Sequence, residues 1–220
     1  MFIVTIGVLI ALAINEWNNT RLEHAEEVSI LERLLSDIQS DLTGYRLGLD
    51  ILGRKEESLQ RVRSALAAPQ SMPGDPTQFL KDVISGANYG WNQHRARRVT
   101  FDELLGSGKL GLVRSADIRM AIGDYYESER GAAGRIDERE TAYPYLSYQL
   151  VPREDESELD AGLGQSQIEA LVAGIVESPL REHVTAEINF ARFVQARFTE
   201  RESACSALVN SLRIHLDATR

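Results

Sequence analysis

From Met1 to Leu66 the sequence permits little other than one long helix. It contains no proline in that stretch, and its first fourteen residues, Met1 to Ile14, carry no charge. Beyond Asn15-Glu16-Trp17-Asn18 the apolar residues fall into alternating steps of three and four. They are Val28, Leu31, Leu35, Ile38, Leu42, Tyr45, Leu49, Leu52, Leu59 and Leu66. Only Glu56 and Arg63 interrupt that register, so ten of twelve positions describe a seam that another helix must cover. Glu26, Glu27, Glu32, Arg33, Asp37, Asp41 and Arg46 flank it and read as a solvated face. Gly44, Gly48 and Gly53 each cost a helix up to about 1 kcal/mol against alanine, which implies close packing or a change of partner.

The uncharged start reads as a membrane anchor. Fourteen helical residues span about 21 Å against a hydrocarbon core of about 30 Å. Extension through Trp17 reaches about seventeen residues, the lower limit for crossing. No basic stretch precedes the run and no A-x-A-like cleavage site follows it, which separates it from a secretory signal. Trp17 stands where an interfacial aromatic belongs. Gly7 and Ala11, four residues apart, make a small-residue face against which a second membrane helix can pack. Residues 1–17 are therefore assigned to a transmembrane anchor and 18–220 to an extramembrane helical bundle.

After Leu66, the stretch Ala67 to Pro76 holds three prolines and a glycine and ends the long helix. Thr77 reads as the cap of a short helix from Gln78 to Ser85. Thr100 and Glu103 have capping-box spacing for another, which stops at Gly106-Ser107-Gly108. Ser115 caps a helix with Ile118, Ala121, Ile122 and Tyr125 on one face, running towards Tyr143. Arg153 to Asp160 is an acidic linker, and Gln165 to Glu177 a further helix. The last helix spans Leu180 to Leu216. Its seam of Val184, Ala191, Val194, Phe198, Cys205, Leu208 and Leu212 fills seven of ten positions. The expected fold is all-α: an N-terminal transmembrane helix continuous with a long stalk, packed antiparallel on a long C-terminal helix, with several short helices completing a bundle.

The formal net charge of −9 argues against nucleic acid, whose phosphates demand a basic face. The one dense basic cluster, His94, Arg95, Arg97 and Arg98, reads as a solvated loop. With a single cysteine, Cys205, no intrachain disulfide can form, and its seam position suggests a small buried hydrophobe. The histidines His24, His94, His183 and His215 are never spaced three or four apart, so no metal site is assigned. Gly106-Ser107-Gly108-Lys109 fails the phosphate-loop pattern, with Glu103 in place of the first glycine and Leu110 in place of the hydroxyl. Asp155, Glu156, Glu158 and Asp160 lack calcium-loop spacing. No catalytic residue, metal ligand or cofactor is assigned. The tyrosines Tyr125, Tyr126, Tyr143, Tyr145 and Tyr148 form an aromatic group, and Tyr125 and Tyr126 with Trp91, Arg95 and Arg98 are the candidate partner or pocket surface.

Two segments carry a family resemblance. Ile14-Asn15-Glu16-Trp17-Asn18 follows the apolar run directly. Phe101 to Arg114, F-D-E-L-L-G-S-G-K-L-G-L-V-R, precedes an I-R-x-x-I-x-D-Y-Y stretch ending at Tyr126. Together they resemble an uncharacterised bacterial family of single-pass membrane proteins, whose hydrophobic helix ends in I-N-N-W-N and whose later segments carry S-S-G-K-L and Y-Y. The resemblance implies topology and no activity. Members begin with a basic stretch and several further apolar residues, which implies that residues 1–17 are an anchor shortened at its N-terminus. It also implies a bacterial inner-membrane protein with its body in the periplasm.

The expectation is then a non-enzymatic, membrane-anchored accessory or structural protein that works by helix association. Its partners would be the lipid bilayer and either other membrane-protein subunits or itself, with no nucleic acid. The alternative is a periplasmic helical sensor or ligand-binding domain, which requires a pocket with convergent polar groups.

Overall fold

The computed structural model describes residues 2–67, 74–90, 96–137, 141–151, 159 and 163–219, with side-chain surroundings for all of these except 2–5 and 130–137. Among the described residues every regular element is helical. They are α1 (Phe2–Ala67), α2 (Pro76–Ala87), α3 (Val99–Ser107), a 3-10 turn (Lys109–Leu112), α4 (Ala116–Asp137), α5 (Tyr143–Leu150), α6 (Gln165–Glu177) and α7 (Leu180–Thr219). The acidic linker lies almost wholly outside the described residues.

Local chemistry sets the ends. Asp75, not Thr77, caps α2: its side chain accepts the Gln78 N–H at 3.0 Å, and Pro76 opens the helix where a missing N–H costs nothing. Thr100 lies inside α3 rather than at its cap, and its hydroxyl is used elsewhere. Gly108, with φ of 72°, takes the left-handed conformation that ends α3. Ser115 caps α4 as expected, its Oγ accepting the Ile118 N–H at 3.3 Å.

The chain forms two compact units, residues 1–42 with 96–130 and 203–220, and residues 43–95 with 131–202. Both long helices contribute to each unit. In the first, the Cys205 thiol of α7 donates to the Ile38 carbonyl of α1 at 3.1 Å, and Phe101, Leu104, Ile118 and Ile122 complete the core. In the second, Leu59, Val62 and Leu66 of α1 pack in one apolar cluster with Val83 of α2, Tyr143 of α5, Val172 of α6 and Val184 of α7. In each unit α1 and α7 pack antiparallel, as expected.

The seam of α7 is as the sequence predicts: all seven of its apolar positions are buried. That of α1 differs. Leu31, Ile38, Tyr45, Leu52, Leu59 and Leu66 are buried, but the alternate line runs through Glu27, Leu34, Asp41, Gly48, Lys55 and Val62. Val28, Leu35, Leu42 and Leu49 are only half-buried at its edge. Glu27 and Asp41 are therefore interior groups and not part of a solvated face; Glu56 and Arg63 fall off the seam. The cause is that each polar seam position meets a matching group. Lys55 Nζ lies 2.5 Å from Glu187 Oε1, both side chains fully buried. Gly48 leaves room for the Phe198 ring, which Tyr45 meets edge-on at 5.6 Å.

No helix among the described residues is long and apolar enough to cross a membrane. The expected transmembrane helix is thus not found: the apolar run of α1 from Phe2 ends at Asn15 and Glu16, short of the length needed to cross.

The packing of Gly48 is testable. A Cβ there would lie 2.5 Å and 2.8 Å from Phe198 ring carbons, whereas one at Gly53 meets nothing within 4 Å. Gly48→Ala should destabilise by about 1–3 kcal/mol through overpacking, net of the helix-propensity gain. Gly53→Ala should stabilise by up to about 1 kcal/mol. Chemical denaturation followed by circular dichroism distinguishes the two, and equal effects would refute the close approach.

Candidate functional site

Three of the sequence-predicted residues, Arg98, Tyr125 and Tyr126, meet in the first unit around Asp41. Asp41 comes from the α1 seam and is fully buried. Its Oδ1 accepts the backbone N–H of Arg97 at 3.0 Å and its Oδ2 accepts the Tyr125 hydroxyl at 2.9 Å. One turn earlier on α1, Asp37 accepts the Thr100 hydroxyl at 2.6 Å. The Arg98 side chain donates to the Tyr126 carbonyl at 2.9 Å and to Asp102 at 3.0 Å. Its guanidinium also lies over the Phe101 and Tyr126 rings, at 5.4 Å and 5.6 Å. Those two rings stack at 4.2 Å, with 14° between their planes.

The electrostatics follow from burial. Loss of water pushes the Asp41 carboxyl up to about 6, against the lowering effect of its two hydrogen bonds, and the nearby Glu129 and Asp37 add to the rise. Burial also raises the Tyr126 phenol, and the charges of Asp41 and Asp37 push it further. Tyr126 is fully buried, and its hydroxyl meets no hydrogen-bond partner among the described residues. It is a neutral phenol at physiological pH, not a base or nucleophile. What this arrangement does chemically is hold one buried carboxyl, raised to about 6, between two donors, the Arg97 amide and the Tyr125 hydroxyl.

The remaining candidates are placed elsewhere. Trp91 and Arg95 lie outside the described residues. Tyr143 belongs to the second unit and is buried, its hydroxyl donating to the Val83 carbonyl at 3.2 Å. Tyr145 and Tyr148 stand exposed on α5. Gly7 and Ala11 are exposed, with nothing within 4 Å of a Cβ at Gly7, and Trp17 is 67% exposed with the Arg21 guanidinium 5.8 Å from its ring. A groove of about 250 Å³ in the first unit is lined by Glu32, Leu35, Ser36, Gln39, Arg213, Leu216 and Asp217, none of them a sequence-predicted site residue.

Sequence reasoning missed Asp41, Glu27 and the Lys55–Glu187 pair as interior groups. The signal was present: Glu27, Asp41, Gly48 and Lys55 recur at the same seven-residue phase as Leu34 and Val62. A rule that asks every seam position to be apolar passes over it.

A protein-family model described as a family of unknown function (DUF6090) matches residues 1–132, which hold Asp41, Arg98, Tyr125, Tyr126 and Lys55. No curated protein and no solved structure matches the chain.

The raised Asp41 carboxyl gives a pH dependence of known sign. An unfolded aspartate titrates near about 3.9, so between that value and about 6 the folded chain holds a proton that the unfolded chain has lost. The stability this provides is complete below about pH 4 and is lost as pH rises through about 6. Its size is at most about 3 kcal/mol, at about 1.4 kcal/mol per pKa unit. Asp41→Asn should flatten that part of the stability profile measured by denaturant titration from pH 4 to 8. An unchanged slope would show that Asp41 titrates normally.

Proposed function

The chain belongs to this family of unknown function, which brings no activity with it, and from its residues we propose a non-enzymatic, membrane-anchored accessory protein that acts by helix association. The observation that carries the reading is the exposure of the first turns of α1. Ile6, Val8, Leu9, Ile10, Leu12 and Ile14 are each more than half exposed. Full burial of side chains like these is worth about 1.5–3 kcal/mol apiece, so a helix that leaves six of them in water is missing its cover.

Their arrangement favours lipid as that cover. Successive helical residues turn by about 100°, so positions 6, 8, 9, 10, 12 and 14 spread over about two thirds of the helix circumference, and Gly7 and Ala11 occupy the rest. A docking groove would need one apolar stripe, whereas a bilayer surrounds a helix. Trp17 with its stacked Arg21 then sits at the interface, and the seventeen residues up to it reach the lower limit for a span. Gly7 and Ala11 are the small-residue face for a neighbouring membrane helix. The body has its own seam covered by α7, which leaves the anchor as the surface through which larger membrane complexes or further copies are met. We place the anchor in a bacterial inner membrane as a single pass, with the body in the periplasm.

The test uses the full chain in bacterial cells. It should remain with the membrane pellet after alkaline carbonate extraction, and Leu9→Asp with Ile10→Asp should release it. Recovery of the unaltered chain in the soluble fraction would refute the anchor. From solubilised native membranes it should co-purify with other subunits or with itself, and Gly7→Ile with Ala11→Ile should abolish that while leaving it in the pellet. Recovery alone as a monomer would overturn the accessory role.

A further inference from the structure

Glu27 is the first polar residue of the α1 seam and is 1% exposed. Its Oε1 accepts the Arg114 backbone N–H at 2.7 Å, and Arg114 Nε lies 3.7 Å from Oε2. Two imidazoles face the same carboxylate. His24 Nδ1 is 3.6 Å from Oε2, and His215 Nε2 is 4.0 Å from Oε1. His24 Nδ1, Glu27 Oε2 and His215 Nε2 are all buried, and none has a hydrogen-bond partner among the described residues.

The other nitrogen of His24 determines what Nδ1 presents. His24 Nε2 lies 3.1 Å from the Thr219 carbonyl in the last turn of α7. A carbonyl only accepts, so Nε2 must carry a hydrogen. In a neutral ring Nδ1 then offers a lone pair, aimed at a carboxylate oxygen that also offers lone pairs. Two buried acceptors facing each other repel, and neither is satisfied. A second proton on the ring removes the conflict: the imidazolium donates to Thr219 from Nε2 and faces Glu27 from Nδ1 as a charge-assisted pair. A metal ion would also satisfy the lone pairs. Among the described residues, however, no group of three or more His, Cys, Asp or Glu is arranged to hold one, and the Arg114 cation already stands by Oε2.

We propose that His24, Glu27 and His215 form a proton-operated clasp, closed when His24 is doubly protonated, that fastens the last turn of α7 to α1. The clasp is independent of the membrane reading, since each of its groups lies in the body. Charged neighbours come from every element around it. On α1 they are Glu23 and Glu26, the latter held by Lys109 of the 3-10 turn at 2.6 Å. Arg114 follows that turn, and its guanidinium also donates to the Thr20 carbonyl at 3.3 Å. On α4, Arg119 donates to the Val113 and Arg114 carbonyls. On α7, Arg213 and Asp217 flank His215. Closing takes up a proton, so the clasp tightens as pH falls and loosens as pH rises.

Hydrogen exchange of the purified full chain tests this, read at the amides of Ser211 to Thr219 at pH 5.5 and 8.0 after correction for intrinsic rates. Protection should be about tenfold greater at the lower pH. His24→Gln should remove the difference, and His215→Gln should reduce it without abolishing it. Asp41→Asn, which removes the buried carboxyl raised to about 6 in this unit, should leave it intact. Equal protection at the two pH values would overturn the proposal, as would a difference that survives His24→Gln. So would protection restored at pH 8.0 by zinc and lost in His24→Gln, since a cation rather than a proton would then close the clasp.

Discussion

Burying a charge in a helical seam is unfavourable unless a partner arrives with it, and α1 does this three times. Glu27 meets Arg114 and two imidazoles, Asp41 meets the Arg97 amide and the Tyr125 hydroxyl, and Lys55 meets Glu187. The partners come from distant places in the sequence, so each pairing ties α1 to other elements in one register. Slipping either helix by one position would leave a charge unpaired inside the body, at a cost of several kcal/mol. Apolar seam residues are more forgiving, because leucines exchange neighbours at small loss. On this account the apolar positions supply the adhesion and the polar ones select the arrangement.

The Lys55–Glu187 pair shows the balance most clearly. Loss of water lowers the lysine ammonium, while the carboxylate beside it pulls in the opposite direction. The Asn88 carbonyl at 3.2 Å and the Tyr89 ring at 4.9 Å take up the remaining faces of the ammonium. Thr141 donates to the other oxygen of Glu187. The pair is satisfied from α1, α7 and the segments next to α2 and α5, which makes it a cross-tie of the second unit. The Asp41 node plays the same part in the first, where it joins α1 to the start of α3 and to α4.

Much of this was legible in the sequence, and what was missed has a single physical origin. Helix existence follows from proline spacing and apolar period, so α1, α6 and α7 have the extents expected to within a few residues. The α7 seam is read correctly because apolar residues fill most of it. The α1 seam is misread at alternate positions, because Leu35, Leu42 and Leu49 offer a more apolar line than Asp41, Gly48 and Lys55. Those leucines are half-buried, since the apolar stripe on α1 is wider than one seam. What decides between the lines is the partner of each polar residue, and Glu187, Tyr125 and Arg114 lie 84 to 132 positions away in sequence. Local pattern contains no term for such pairs. The same limit explains why Thr100, which has a good capping-box sequence, instead gives its hydroxyl to Asp37.

Among the described residues the α1 seam is covered from within the chain, whereas Ile6, Val8, Leu9, Ile10, Leu12 and Ile14 in the first turns of that helix are exposed. The functional proposal depends on this division. The most direct test is a double-mutant cycle on Lys55→Met and Glu187→Leu, read as unfolding free energy. Each single change should cost about 3–5 kcal/mol by stranding the opposite charge, and the double change should recover most of that loss. Additive losses, or single changes without effect, would mean that the two residues do not meet and that α1 buries a different line.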